Sequence, residues 1–304
     1  MIECVDRIPR QNQGVVLASI EFTDFFRSKN LVETAWYGTT DTTREITERL
    51  LDQDKVKLTD PLYKVCDIAY QNLLKSETPE YAYKNILISK TVFGVNRPTT
   101  ASWIYEFKIG SARADAILVR DKATVFEIKT NLDDFSRAKN QMASYYSAFD
   151  QVVFVIGDSQ VETALRILPA QVGILTLSNR HKLSKLRDAS IFQDDLSSEA
   201  MFYLLRRNER ELLKEQYDID TTGLSPVESY NLLRSYISSR NPKEIHIKLV
   251  QALRDRAPAT KMEAISSKLP SSLRAAVYWY KINQSDWKLL MDRLNSPISC
   301  VLRN

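Results

Sequence analysis

Histidine and cysteine are scarce in this chain. Its 304 residues include only two histidines, His181 and His246, and three cysteines, Cys4, Cys66 and Cys300. Two histidines so far apart leave little for a His-based zinc site or a Ser-His-Asp triad. Three cysteines at distant positions show neither metal spacing nor a disulfide framework, and they fit a reducing cytoplasm. Long hydrophobic runs are missing too. The opening MIECVDRIPRQNQG has no apolar core of a signal peptide, and no run is long enough to span a bilayer. There is no repeat of 20–50 residues and no low-complexity segment. The expectation is a cytoplasmic protein with no membrane partner.

What is present is ordinary for a globular protein, with 44% apolar and 26% charged residues in a length that allows about two domains. The net charge of +4 is too small to name a partner. Its distribution is uneven: residues 198–304 carry 17 Lys/Arg against 12 Asp/Glu, and residues 1–197 carry 25 against 26. A mildly basic C-terminal part suits nucleic acid, although a charge this small usually marks a solvated surface.

Periodicity divides the chain into 1–77, 78–197 and 198–304. In the first part GVVLASIEF reads as a short strand. A helix begins at Asp41 with that residue as N-cap, and another at Asp60 with Pro61 in its first turn. A third helix is capped by Thr78. The period then changes to two. SWIYEFKI alternates, with Trp103, Tyr105, Phe107 and Ile109 on one side. Gly110-Ser111 and Asp121-Lys122 turn the chain through ARADAILV and TVFEIKT into a three-strand meander. A helix over NLDDFSRAKNQMASYYSAF follows, then the apolar runs QVVFVIG and QVGILTL as strands covered on both faces. The order α-β-β-β-α-β-β describes an α/β protein with a mixed sheet flanked by helices. From about Ser197 the chain reads as helical, and that region could serve a homodimer contact or a regulatory partner.

Period two places Val125, Glu127 and Lys129 on one face of one strand, and Arg113 and Asp115 on one face of its antiparallel neighbour. In the right register Asp115 comes beside Glu127. Two carboxylates and an ammonium group can form an oxygen-rich Mg2+ site, with the Ile128 carbonyl as a further ligand and Lys129 positioning a nucleophile. Phosphodiester hydrolysis needs such a set. For an isolated E-x-K the better reading is a strand-borne salt bridge, but the acid on the paired strand and the order of flanking elements favour a site.

These residues resemble the PD-(D/E)xK nuclease superfamily, whose pattern is an acid on the second core strand and (D/E)-x-K on the third. Ala114 stands where the usual proline would precede Asp115. Gln141 and Tyr145 look like the superfamily's Q-x-x-x-Y accessory motif, at i, i+4 on one helical face. The resemblance covers residues 78–177 and implies a restriction-endonuclease-like αβββαβ core. It also implies metal-dependent cleavage of DNA, with RNA not excluded, and Mg2+ as cofactor, for which Mn2+ can substitute. Asp115, Glu127 and Ile128 would hold the metal, and Lys129 and Gln141 would act at the reacting centre. Arg113, Lys129, Gln141 and Tyr145 would meet the nucleic acid. A further acid is implied on the first helix or first strand; Glu80 and Glu106 are the candidates, Glu80 slightly preferred. Such nucleases often occur in restriction or anti-phage settings. The rival reading is a binding module that keeps the fold for DNA or protein recognition.

Three other stretches have ordinary readings. RHKLSKLR, Arg180–Arg187, could track phosphates but suits a solvated loop or helix face after the last strand. LLRRNERELLKEQY reads as a surface helix with i, i+4 pairs, and the aromatics Tyr278, Trp279, Tyr280 and Trp287 read as core or dimer contact. His246 reads as structural.

Overall fold

A computed structural model describes residues 22–75, 79–91, 102–256, 269–280 and 282–303. The expected strand over GVVLASIEF and the Thr78 cap lie outside the described residues. Along the chain run helices α1 (Ser28–Tyr37), α2 (Asp41–Asp52), α3 (Tyr63–Lys75) and α4 (Glu80–Thr91). The meander follows as β1 (Ser102–Ile109), β2 (Ala112–Val119) and β3 (Ala123–Lys129). Then come α5 (Ala138–Tyr146), β4 (Gln151–Gly157), α6 (Val161–Ile167), β5 (Gly173–Leu177) and β6 (Leu183–Arg187). Helices α7 (Ser198–Leu204), α8 (Arg207–Gln216), α9 (Pro226–Ser238) and α10 (Pro242–Asp255) precede α11 (Arg274–Trp279), α12 (Gln284–Asn295) and α13 (Ile298–Val301).

The chain forms two compact units, one of residues 1–89 with 264–304 and the other of residues 90–263. This differs from the three-part division that periodicity suggests, because the last helices join the N-terminal unit. Tyr81 and Asn85 on α4 donate to the carbonyls of Ser272 and Ser271 at 2.7 and 3.0 Å, and the Ala275 N–H donates to Asn85 Oδ1 at 2.8 Å. Pro61 bridges Pro297. Tyr278, Trp279 and Trp287 are buried in this unit, so they form core. Helix α2 is capped by Thr40, whose side chain accepts from the Thr43 N–H, and Asp41 is its first residue rather than its cap.

In the other unit six strands form one sheet in the order β1-β2-β3-β4-β5-β6. The meander is antiparallel, β3, β4 and β5 are parallel, and β6 returns antiparallel on β5. RHKLSKLR is therefore no helix: Arg180, His181 and Lys182 lie in the turn before the edge strand β6, which takes the rest. One face of the sheet carries Ile117, Val119, Val125, Val152, Phe154 and Ile174 into a core shared with α5 and α7–α10. Residues of the opposite pleat, such as Leu118, Phe126, Ile128 and Val155, are buried as well, and Phe126 stacks on Trp103 at 5.6 Å. Continuous apolar strands follow from burial on both sides.

The expected alternation of β1 breaks at one residue. Ile104 and Phe107, three apart, pack against the same core, which strict period two forbids. Between them Glu106 has φ +50°, and this left-handed residue inverts the side on which the following side chains fall.

Candidate active site

The β2–β3 ladder runs from Val119↔Ala123 to Ala116↔Phe126. Asp115 and Glu127 are the next residues on the two strands, just beyond the last paired step. There the backbone pairing gives way to a side chain, and the Ile128 N–H donates to Asp115 Oδ2 at 2.6 Å. Strand β3 continues on β4 alone, through Lys129↔Ile156. Because the N–H and C=O of a strand residue leave on the same side, the Ile128 carbonyl also faces the opened ladder.

Glu127 sits at the centre of the site. Its Oε1 lies 3.2 Å from Lys129 Nζ and accepts from Gln141 Nε2 at 2.5 Å, while Oε2 accepts from the Tyr145 hydroxyl at 2.6 Å. Glu127 and Lys129 are only 4% and 2% exposed. Charges so buried persist only when paired and hydrogen-bonded, and each supplies the other's partner. Gln141 and Tyr145 arrive together because α5 buries Ala138, Met142 and Tyr145 in the core, which turns the i, i+4 face onto β3. Burial, and then the charge of Glu127, push the Tyr145 phenol well above its ordinary range, so it remains a donor. Its hydroxyl also lies 3.0 Å from the Arg113 carbonyl.

Glu106 and Glu80, the two candidates for a further acid, form ion pairs of their own. Glu106 shares Asp115's register step from the β1 side, yet its left-handed backbone leaves the carboxylate half-exposed, 3.6 Å from the Arg113 guanidinium. Glu80 belongs to the other unit and pairs with Lys84 at 2.6 Å, one helical turn on. Among the described residues no group of three or more His, Cys, Asp or Glu side chains is arranged to hold a metal ion. Mg2+ is commonly held by one or two carboxylates with waters and substrate oxygens, and Asp115 and Glu127 are the carboxylates that would offer them here. Each oxygen of Glu127 accepts one hydrogen bond, from Gln141 on Oε1 and from Tyr145 on Oε2, and the Lys129 ammonium lies against Oε1.

A second network supports the first, and sequence reasoning missed it. Asp133 Oδ2 accepts from the backbone N–H and hydroxyl of Thr130, the residue after Lys129, at 2.8 and 2.7 Å. Gln160, buried on the turn after β4, donates to the carbonyls of Thr130 and Asp133 at 2.6 and 2.7 Å. It thereby clamps the β3–α5 loop that aims Gln141 and Tyr145. The available signal was positional: polar residues just beyond the carboxyl ends of parallel strands line the crevice where such sheets bind ligands.

Elsewhere, His246 is buried with Nε2 3.8 Å from Asp150 Oδ1. Glu209 and Arg256 form a buried pair at 2.5 Å, so LLRRNERELLKEQY is no simple surface helix. No helix among the described residues is long and apolar enough to cross a membrane.

Comparison with known proteins gives a family for most of this chain. Among curated proteins nothing matches. A solved structure, the SPO1766 protein of unknown function from Silicibacter pomeroyi, is 20% identical and covers 43% of this chain and 88% of its own. Its TM-score of 0.28 is too low to bear on the fold. The family profile described as bacteriophage P4 protein cII matches residues 74–274, about two thirds of the chain and all of the sheet-bearing unit. The chain belongs to that family, bacteriophage P4 protein cII.

Proposed function

We propose that this protein is a Mg2+-dependent nuclease that hydrolyses phosphodiester bonds in DNA on a PD-(D/E)xK, restriction-endonuclease-like core. The observation that carries the reading is that Asp115 accepts from the Ile128 N–H just beyond the β2–β3 ladder, next to the Glu127–Lys129 pair on β3. Asp115 and Glu127, with the Ile128 carbonyl, would hold the cation. The cation, with Mn2+ as a substitute, would supply charge neutralisation at the phosphate and a bound water of lowered pKa. Lys129 would orient that water as the ammonium, or take up its proton as the neutral amine. Gln141 and Tyr145 fix the rotamer of Glu127, and the exposed Arg113 meets the phosphate backbone. RNA is a further substrate to be tested, and restriction or anti-phage defence is the setting that the resemblance implies.

Incubation of the purified protein with labelled linear, circular, nicked and single-stranded substrates in Mg2+ or Mn2+ tests the activity. Asp115→Ala, Glu127→Ala and Lys129→Ala are each expected to lower cleavage by at least about a hundredfold while circular dichroism stays unchanged. Full cleavage by the Lys129→Ala protein would sink the mechanism. One observation favours the alternative of a non-catalytic module: Glu127 is 4% exposed and already meets three donors, which suits a closed polar plug. Calorimetric titration with Mn2+ separates the two, since a plug takes up no ion at any accessible concentration.

A further inference from the structure

We propose that the β5–β6 hairpin tip is a second phosphate-binding point, at which Arg180 and Lys182 hold the backbone of a nucleic acid that also reaches the Asp115–Glu127–Lys129 group. The inference rests on the nuclease reading of that group. Strands β3, β4 and β5 are parallel, so their carboxyl ends lie along one edge of the sheet. Lys129 ends β3 at that edge, and Leu177 ends β5 there just before the tip, residues 178–182. Arg113, near the start of the antiparallel β2, is at the same edge. Two strand spacings separate β3 from β5, about 10 Å in all.

The structure also sorts the charges of Arg180–Arg187. Arg187 donates to the carbonyls of Val172, Leu168 and Pro169 at 2.7, 3.3 and 2.8 Å, which fastens the hairpin to the unit. Lys185 pairs with Asp188 at 2.7 Å. Arg180 and Lys182 are exposed and form no ion pair with another described residue. The tip that carries them is ordered by its own hydrogen bonds. The Ser178 N–H donates to the Lys182 carbonyl at 3.1 Å, and the His181 N–H returns to the Ser178 carbonyl at 2.8 Å. His181 at φ +57° makes the turn. Two cations on a fastened turn lose little freedom on meeting a phosphate, unlike lysines on a loose loop.

The edge is not uniformly basic. Asp158 is exposed on the turn after the intervening β4. Nearer the site, Asp133 and Asp134 accept backbone N–H groups from Thr130 and Ser136. The acid between the two basic points makes the contact two-pointed: a strand held at Arg113 and the site passes Asp158 before it reaches Arg180 and Lys182.

Fluorescence anisotropy with a labelled 30-nucleotide strand in EDTA, as DNA and as RNA, reads binding without cleavage across about 50–200 mM salt. For Arg180→Gln/Lys182→Gln the slope of log K against log salt is expected to fall by about 1.5, with about a tenfold loss of affinity at the low-salt end. Arg120→Gln/Lys122→Gln, in the β2–β3 turn at the opposite end of the sheet, is the control and should leave the slope unchanged. Equal slopes for the hairpin variant and the unaltered protein overturn the inference, and so does an equal loss in the control. Cleavage by the unaltered protein together with an unchanged hairpin slope removes the hairpin contact and keeps the nuclease. A lost slope without cleavage of any substrate keeps the contact and removes the nuclease. Loss with one nucleic acid and not the other names the substrate class.

Discussion

Glu127 is the residue on which the site turns, because its two oxygens meet three donors of different character. Lys129 balances its charge, whereas Gln141 and Tyr145 set its direction. The Tyr145 hydroxyl has one proton and two acceptors in reach. The 2.6 Å contact to the carboxylate takes it in preference to the 3.0 Å contact to the Arg113 carbonyl. Tyr145→Phe removes that bond and adds no volume. Unfolding in urea should show a loss of about 1.5–3 kcal/mol, the usual worth of a buried hydrogen bond to a charged group. A loss below about 0.5 kcal/mol would mean that the hydroxyl does not hold Glu127. That Glu127 and Lys129 share a face was legible in the sequence because period two assigns faces without reference to anything distant, whereas Ala114 and Ile117, three apart on β2, enter the same core and break that period around Asp115. That Glu106 turns away was not legible, because a left-handed φ at a glutamate has no compositional mark.

Among the elements, α10 ties the helical layer to the sheet through a buried histidine. Burial depresses the basicity of His246, and the nearby Asp150 carboxylate only partly offsets that. The sign follows from linkage. The unfolded chain takes up the proton near the ordinary value of 6.5, before the folded one does, so stability is lost as pH falls below about 6.5. Urea midpoints measured at about pH 7.5 and 5.5 should fall, and His246→Gln should flatten the difference. Midpoints that do not move would show that the imidazole charges as easily folded as unfolded. Helices α8 and α10 frame the Glu209–Arg256 pair. Burial raises the Glu209 carboxyl, but the Arg256 guanidinium and the Arg206 N–H outweigh it and hold the group below its usual range. The mixed charges of α8 gave no hint of this partner, because Arg256 lies 47 residues away in the chain.

At the scale of the whole molecule, the helical C-terminal stretch is not a detachable regulator. Helices α7–α10 bury Phe202, Leu205, Ile237, Leu249 and Leu253 in the core of the sheet-bearing unit, whereas α11–α13 belong to the N-terminal one. Removing residues 198–304 therefore strips both units at once. Each deleted large apolar side chain forfeits about 1.5–3 kcal/mol of burial, which exceeds the margin of a domain within a few residues. Such a truncation should be insoluble, or expanded with exposed apolar surface by dye binding. A soluble, cooperatively unfolding fragment of residues 1–197 would contradict the division into units.

The sequence by itself determined the strands of the meander, the helix that follows, the apolar strands at the centre, and the faces on which Glu127, Lys129, Gln141 and Tyr145 fall. Each of these depends on a local period or a turn residue, and local backbone geometry is the same wherever the segment lies. Only the tertiary structure decided that the β2–β3 ladder opens at Asp115, that Gln160 clamps the loop after Lys129, and that β6 forms an edge. It also decided that the last helices return to the first. Those outcomes depend on contacts between segments far apart in the chain, and which distant surfaces bury one another is a property of the packed molecule, with no period to record it.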